Sequence, residues 1–279
     1  MIVATIGAVL NIVLDIVLVY GIEDFIPPMH IKGAAYASVV SQVVMAVLAF
    51  YWLLSKTNVK LYFGKHIHHD IGRLVKMSLN LFLRAVSLNV ALLTAVKTAA
   101  HIGDAEVAAH AIAVNIWLFT AFFIDGYASA GNIYGGRLLG AQDFNQLHRL
   151  IKKVCLYGLV VGGVLMLLGV LFYKPIGLIF TNEFEVLNVL YSFFFIVILV
   201  QPLNAIAFVL DGVFKGFGEM EFLRNLLFLA TFVGFLPVLY ITQKMGLGIQ
   251  GIWIAMTLWL SVRSLGMFRK LFVDYKLRL

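Results

Sequence analysis

The amino-acid sequence predicts an all-α integral membrane protein with about eight transmembrane helices. Three observations lead there. Of 279 residues, 62% are hydrophobic and only 13% are charged, about half the charge content of an ordinary soluble domain. Mean hydropathy is +0.97, carried by continuous apolar runs long enough to cross a bilayer as helices. The runs lack the short alternation of a β-barrel, and basic residues collect in every second connection.

The first span is the run 2–20, apolar except for Thr5, Asn11 and Asp15. Asn11 and Asp15 are one turn apart and share a helix face. A carboxylate near mid-membrane costs about 3 kcal/mol on insertion scales, so it faces a protein interior or a wet cavity. The pair reads as an ion or proton site, with Asn11 a neutral oxygen ligand and Asp15 the titratable group. A hydrogen bond from Asp15 to a neighbouring helix is the competing reading.

The remaining spans read 32–54, 77–100, 107–132, 152–173, 186–214, 222–243 and 249–270. Lys56, Lys60, Lys65, Arg73 and Lys76 follow the second, and Arg137, Arg149, Lys152 and Lys153 follow the fourth. Lys215 and Arg224 mark the turn after the sixth, and Arg269, Lys270, Lys276 and Arg278 the tail. Opposite connections hold only Lys32, Lys97, Lys174 and Lys244. The positive-inside rule places the rich connections, and both chain ends, in the cytoplasm. The stretches 56–76 and 140–153 mix basic and apolar residues and read as interfacial helices or loops.

The net charge of +7 sits at membrane boundaries, so no nucleic-acid partner is expected. Cys155, in an apolar run, is a packing residue and no disulfide framework exists. The opening run lacks a basic n-region and a cleavage site, and reads as a span rather than a signal peptide. His66, His68, His69 and Asp70 cluster without a standard metal spacing, so no metal site is expected. His101 and His110 read as flanking an outer turn, in a structural role. No nucleophile triad, phosphate loop or nucleotide motif is present. An enzyme is not expected, and the chain has no ATP site of its own.

A short internal echo links Met29-His-Ile-Lys-Gly with Leu247-Gly-Ile-Gln-Gly. It aligns Ile31 with Ile249, Gly33 with Gly251 and Ala37 with Ala255. Repeats of this kind build many transporters. The echo pairs the second span with the last and the first with the seventh, as though further spans preceded Met1.

Other intramembrane polar residues are candidates for cavity, gate or substrate contacts. Arg84 either snorkels to the cytoplasmic face or serves a site. Asp125, with Asn132, lines a cavity or bonds a neighbouring helix; the small residues around it permit close helix approach. Pro202 predicts a kink beside Gln201 and Asn204. Asp211 and Lys215, four apart, pair on one face as a gate or structural ion pair.

The stretch Ala108-Ala-His-Ala-Ile-Ala-Val-Asn-Ile-Trp, continuing to Asp125-Gly-Tyr-Ala-Ser-Ala-Gly and Gly135-Gly-Arg-Leu-Leu-Gly, resembles the multidrug and toxic compound extrusion (MATE) transporters, most closely their DinF-like branch. Gln201-Pro-Leu-Asn-Ala through Asp211-Gly-Val-Phe-Lys-Gly fits the same branch. Asn11 to Asp15, Gly21 and Gly33-Ala-Ala-Tyr-Ala look like that family's fifth and sixth spans. The resemblance implies a twelve-helix, two-lobe fold of which this chain is the C-terminal two thirds. Residues 1–55 would be the last two helices of the N-terminal lobe, 56–76 a cytoplasmic linker and 77–279 a complete six-helix C-terminal lobe.

It also implies antiport of organic, often cationic, compounds against H⁺ or Na⁺ without any cofactor. The location it implies is the plasma membrane (a bacterial inner membrane), and the partners it implies are lipids and amphipathic small molecules. Asn11 and Asp15 match the family's N-lobe cation site, whose first-span aspartate has no counterpart here. Arg84 stands where another branch carries an acidic residue, which counts against a second cation site. A truncated form inactive alone, pairing with a missing N-terminal fragment, is the expectation. A non-transporting remnant or scaffold, or a lipid flippase of related architecture, is the alternative.

Overall fold

The computed structural model describes residues 2–21, 27–56 and 71–275. The histidine cluster 66–70, and the stretch read as a linker as far as residue 70, lie outside the described residues. Every regular element among the described residues is helical. Among the described residues, seven helices, with Met220–Lys244 taken as one, are long and apolar enough to cross a membrane, and a bent pair counted as one span makes eight. The chain divides into two compact units, Met1–His68 and His69–Leu279.

The first unit holds α1 (Ile2–Tyr20) and α2 (His30–Lys56). They run antiparallel: Gly7 faces the Met45 side chain, and Gly33 sits directly against the backbone carbonyl of Leu18. Gly33, Ala37 and Ser41 form the buried stripe of α2. Their spacing of four lets the two backbones approach without side chains between them.

The second unit contains α3 (Ile71–Ile102), α4 (Asp104–Gly140), α5 (Phe144–Leu171), α6 (Tyr173–Phe180), α7 (Phe184–Leu199), α8 (Gln201–Gly216), α9 (Met220–Phe228), α10 (Leu236–Lys244) and α11 (Gly248–Val273). Helix α8 is its centre, packed on α4, α5 and α11. All residues from Val209 to Phe214 are buried. Gly212 lies so close to α4 that a Cβ there would meet the Ala128 carbonyl at 2.5 Å.

The α7–α8 pair bends by 52° at Val200. Pro202 is the reason: it cannot donate a backbone hydrogen bond, so the ladder restarts. A second irregularity, between α9 and α10, is a π-helical segment, Leu229–Phe235. It lies just ahead of Pro237, whose ring nitrogen cannot return a bond to Val233.

Two sequence expectations change. The basic stretch 140–153 is no separate interfacial element. Helix α4 runs to Gly140, and Asp143 caps α5 by accepting from the Gln146 backbone N–H at 3.0 Å. Past that cap nothing interrupts the helix, so the basic residues form the first turns of a spanning helix. His110 does not flank a turn: it is buried in α4 against Trp253, ring centroids 5.7 Å apart.

The internal echo has a geometric counterpart. His30 and Gly248 occupy the same place in the repeated frame. Both open their helices in the left-handed region, at φ 48° and 51°. Gly33 and Gly251 each abut the preceding helix. Ala37 and Ala255 are fully buried.

Candidate functional site

Two polar centres lie within the apolar helices, one in each unit. The first is on α1. Asn11 and Asp15 are half-buried and face the same way. Among the described residues, Asn11 Nδ2 and Asp15 Oδ1 are buried without hydrogen-bond partners, as is Ser41 Oγ on α2. Asn11, Ser38, Ser41 and Gln42 line a cavity of about 210 Å³ with the small residues Ala4, Gly7 and Ala8. Unpartnered polar groups at this depth are costly. The cavity itself offers amides and hydroxyls, and the Asp15 carboxylate stands one helix turn beyond Asn11 on the same face. Oxygen groups of these kinds are suited to a small cation or a proton.

The second centre is built around Asp211. Its carboxylate is almost fully buried. Arg84 Nη2 on α3 donates to Oδ1 at 2.5 Å. Lys215 Nζ, one turn along α8, is 2.8 Å from Oδ2. Arg263 Nη2 on α11 is 3.6 Å from Oδ1. Three elements therefore converge on one anion.

Local sequence explains each orientation. Arg84 follows the buried face of α3, in register with Asn80, Ser87, Ala91 and Ala95. That face points into the unit, so the guanidinium pairs inward and does not snorkel. Arg263 lies on the buried face of α11 with Met256, Trp259 and Met267. Its guanidinium sits over the Trp259 ring at 4.8 Å and the Phe208 ring at 5.7 Å, which offsets part of its desolvation. Gln201, Asn204, Phe208, Asp211 and Lys215 recur at three and four along α8, so the polar groups form one stripe.

Sequence reasoning placed Arg84, Asp211 and Lys215 among the candidates but missed Arg263. The cost argument applied to Arg84 points equally to this residue, an arginine inside the last span.

Asp125 on α4 is half-buried and interacts electrostatically with Lys215, Asp211, Arg84 and Arg263. It forms no ion pair among the described residues. The Asn132 backbone carbonyl is pressed against Gly216, so this stretch of α4 packs on α8. Gln201 and Asn204 are buried at the bend. Gln201 Nε2 donates to the Val197 carbonyl at 3.0 Å, and Asn204 Nδ2 donates to Gln201 Oε1 at 3.4 Å. Asn204 Oδ1 has no partner among the described residues.

The comparisons with known proteins agree with this architecture. Protein DETOXIFICATION 42 of Arabidopsis thaliana is 28% identical over 260 residues, covering 93% of this chain and 48% of that protein. DNA damage-inducible protein F of Escherichia coli (strain K12) is 24% identical over 266 residues, covering 94% of this chain and 56% of that one. The chain thus spans about half the length of the curated relatives it matches. A solved outward-facing multidrug resistance MATE family transporter of the MOP superfamily superposes with a TM-score of 0.83. It is 24% identical, and the match covers 99% of this chain and 62% of that one. The MatE family model matches residues 81–241, more than half of the sequence, including Arg84, Asp125, Asp211 and Lys215 but not α11. The chain therefore belongs to the MatE family.

Proposed function

We propose that this multi-pass membrane protein serves secondary-active efflux, exchanging organic, often cationic, compounds for H⁺ or Na⁺, with Asn11 and Asp15 as the coupling-ion site. One observation carries the reading: Asp15 Oδ1, a carboxylate oxygen on the apolar helix α1, is buried without a partner among the described residues. Such an arrangement is costly unless a bound ion or proton satisfies it.

The second unit supports the same assignment. Asp211 is already matched by Arg84, Lys215 and Arg263. It is therefore a poor place for an exchangeable cation, and it acts as a structural hub or gate. Asp125, a carboxylate beside that hub with no ion pair among the described residues, is the contact offered to a cationic substrate. Gln201 and Asn204 mark the bend at which α7–α8 flexes. The basic connections support a cytoplasmic side for both ends of this sequence. Ion binding at Asp15 gives its unpartnered oxygen a partner and biases the protein between loaded and empty states.

The test is cation-driven efflux in proteoliposomes, using the polypeptide as its gene encodes it. Asp15→Asn abolishes coupled flux while the protein still inserts and folds. Undiminished, cation-dependent flux in that variant would remove Asp15 from the mechanism. No cation-dependent flux of any organic cation in the unmodified protein would sink the transport reading itself.

A further inference from the structure

A basic groove lies between the end of α4 and the start of α5, remote in sequence from both polar centres. Arg137 on α4 and Arg149 and Lys153 on α5 line a cavity of about 660 Å³, with Tyr134, Leu138 and Gln146 beside them. All three cations are exposed, and none has an ion-pair or hydrogen-bond partner among the described residues. The neighbouring carboxylate, Asp143, is committed to the α5 cap, where it accepts from Gln146 N at 3.0 Å and Gln146 Nε2 at 2.7 Å. Arg149 and Lys153 are one turn apart, a spacing at which like charges repel.

Three cations around one cavity, with no anion to balance them, form a receptor for a phosphate-bearing group. The chemistry of the surrounding helix faces says what else the ligand carries. Following the lysine face of α5 down the helix gives Tyr157 and Val160; following the Tyr134 face of α4 gives Tyr127 and Phe123. All four are exposed and apolar or aromatic. The groove itself is charged, and exposed apolar and aromatic side chains follow it along both helices into their spanning parts. A soluble anion needs only the first feature. An acidic lipid needs both.

We infer that this groove binds the headgroup of an anionic phospholipid, with its phosphate held by Arg137, Arg149 and Lys153 and its acyl chains lying along the exposed faces of α4 and α5. A basic cleft between spanning helices at the positively charged membrane face is suited to such a headgroup. The inference rests on membrane residence alone and not on the transport reading, so either can fail without the other.

The experiment is native mass spectrometry of the delipidated protein, titrated with phosphatidylglycerol or phosphatidylcholine. The unmodified protein retains phosphatidylglycerol preferentially. The triple variant R137Q/R149Q/K153Q lowers its apparent affinity by about a hundredfold. The variant K97Q/K174Q/K244Q removes the same charge elsewhere and leaves retention unchanged. R149Q alone gives an intermediate loss and serves if the triple variant expresses poorly. Equal retention of the two lipids, or equal losses in both triple variants, overturns the site. Displacement of the lipid by inorganic phosphate alone at comparable concentration also overturns it, since the ligand would then be a free anion.

Discussion

Arg84 and Asp211 stand 127 positions apart in the chain and meet at 2.5 Å inside the apolar body of the second unit. The contact joins α3 to α8, and Arg263 brings α11 to the same carboxylate. One anion thus holds three helices in register. Breaking a buried pair by removing one partner leaves an uncompensated charge, at about 3–5 kcal/mol.

Asp211→Asn is therefore expected to lower stability by about 3 kcal/mol or more. Lys215→Gln, at the more exposed edge of the cluster, is expected to cost less than about 1 kcal/mol. Melting curves of the purified variants in one detergent compare the two. Equal effects would show that the buried geometry does not set the ranking.

Asp15→Asn behaves oppositely. Asp15 Oδ1 has no partner to lose among the described residues, and the neutral amide is cheaper to bury than the carboxylate. The variant should melt at the same temperature or higher. A drop worth more than about 1 kcal/mol would point to a structural hydrogen bond of Asp15, the ordinary value of such a bond.

Gly212→Ala and Gly126→Ala are chemically identical changes with opposite expected outcomes. A Cβ at Gly212 collides with the Ala128 carbonyl, whereas nothing lies within 4 Å of one at Gly126. The first should destabilise by about 2 kcal/mol through forced separation of α4 and α8. The second should stabilise by about 0.5–1 kcal/mol, the usual gain for alanine over glycine within a helix. Thermal unfolding of the pair checks both signs.

The repeated frame gives a matched pair. Gly248→Ala places a Cβ at φ 51° and should cost about 1 kcal/mol. His30→Gly removes a Cβ from φ 48° and should cost much less, or nothing, because relief of strain opposes the added chain entropy. If both substitutions destabilise equally, the two helix starts are not equivalent.

A pH dependence is expected where α11 ends. Burial, and then the Glu219 carboxylate, raise the Tyr275 phenol above its ordinary value of 10.0. Its hydroxyl donates to Glu219 Oε1 at 3.1 Å. The folded state holds this proton more tightly than the unfolded chain. The contribution is therefore complete below the unfolded value, and is lost as pH rises through the higher folded value. Tyr275→Phe should flatten the alkaline limb of a stability–pH profile, and an unchanged limb would assign the loss to other groups.

The spans were legible because transfer from water to hydrocarbon is a local property of each run of side chains. The bend was legible too, since Pro202 removes a backbone donor wherever it sits. Cost marked Asp15 as a residue that must face a cavity or a partner, and it left Arg84 between snorkelling and a site. It could not say which. Lys215 was within reach because a helix turn brings it to Asp211. Arg84 and Arg263 were beyond reach, because ion pairs across helices depend on how those helices pack. Arg263 also lies within two turns of Arg269 and Lys270, and merges in sequence with the basic end of its span. Local hydropathy and backbone chemistry thus settled which segments are helical, membrane-spanning and broken. Only three-dimensional packing decided that Asp211 is neutralised from three elements while Asp15 keeps an unpartnered oxygen, since the attraction between two charges depends on their separation in space and the solvent left between them.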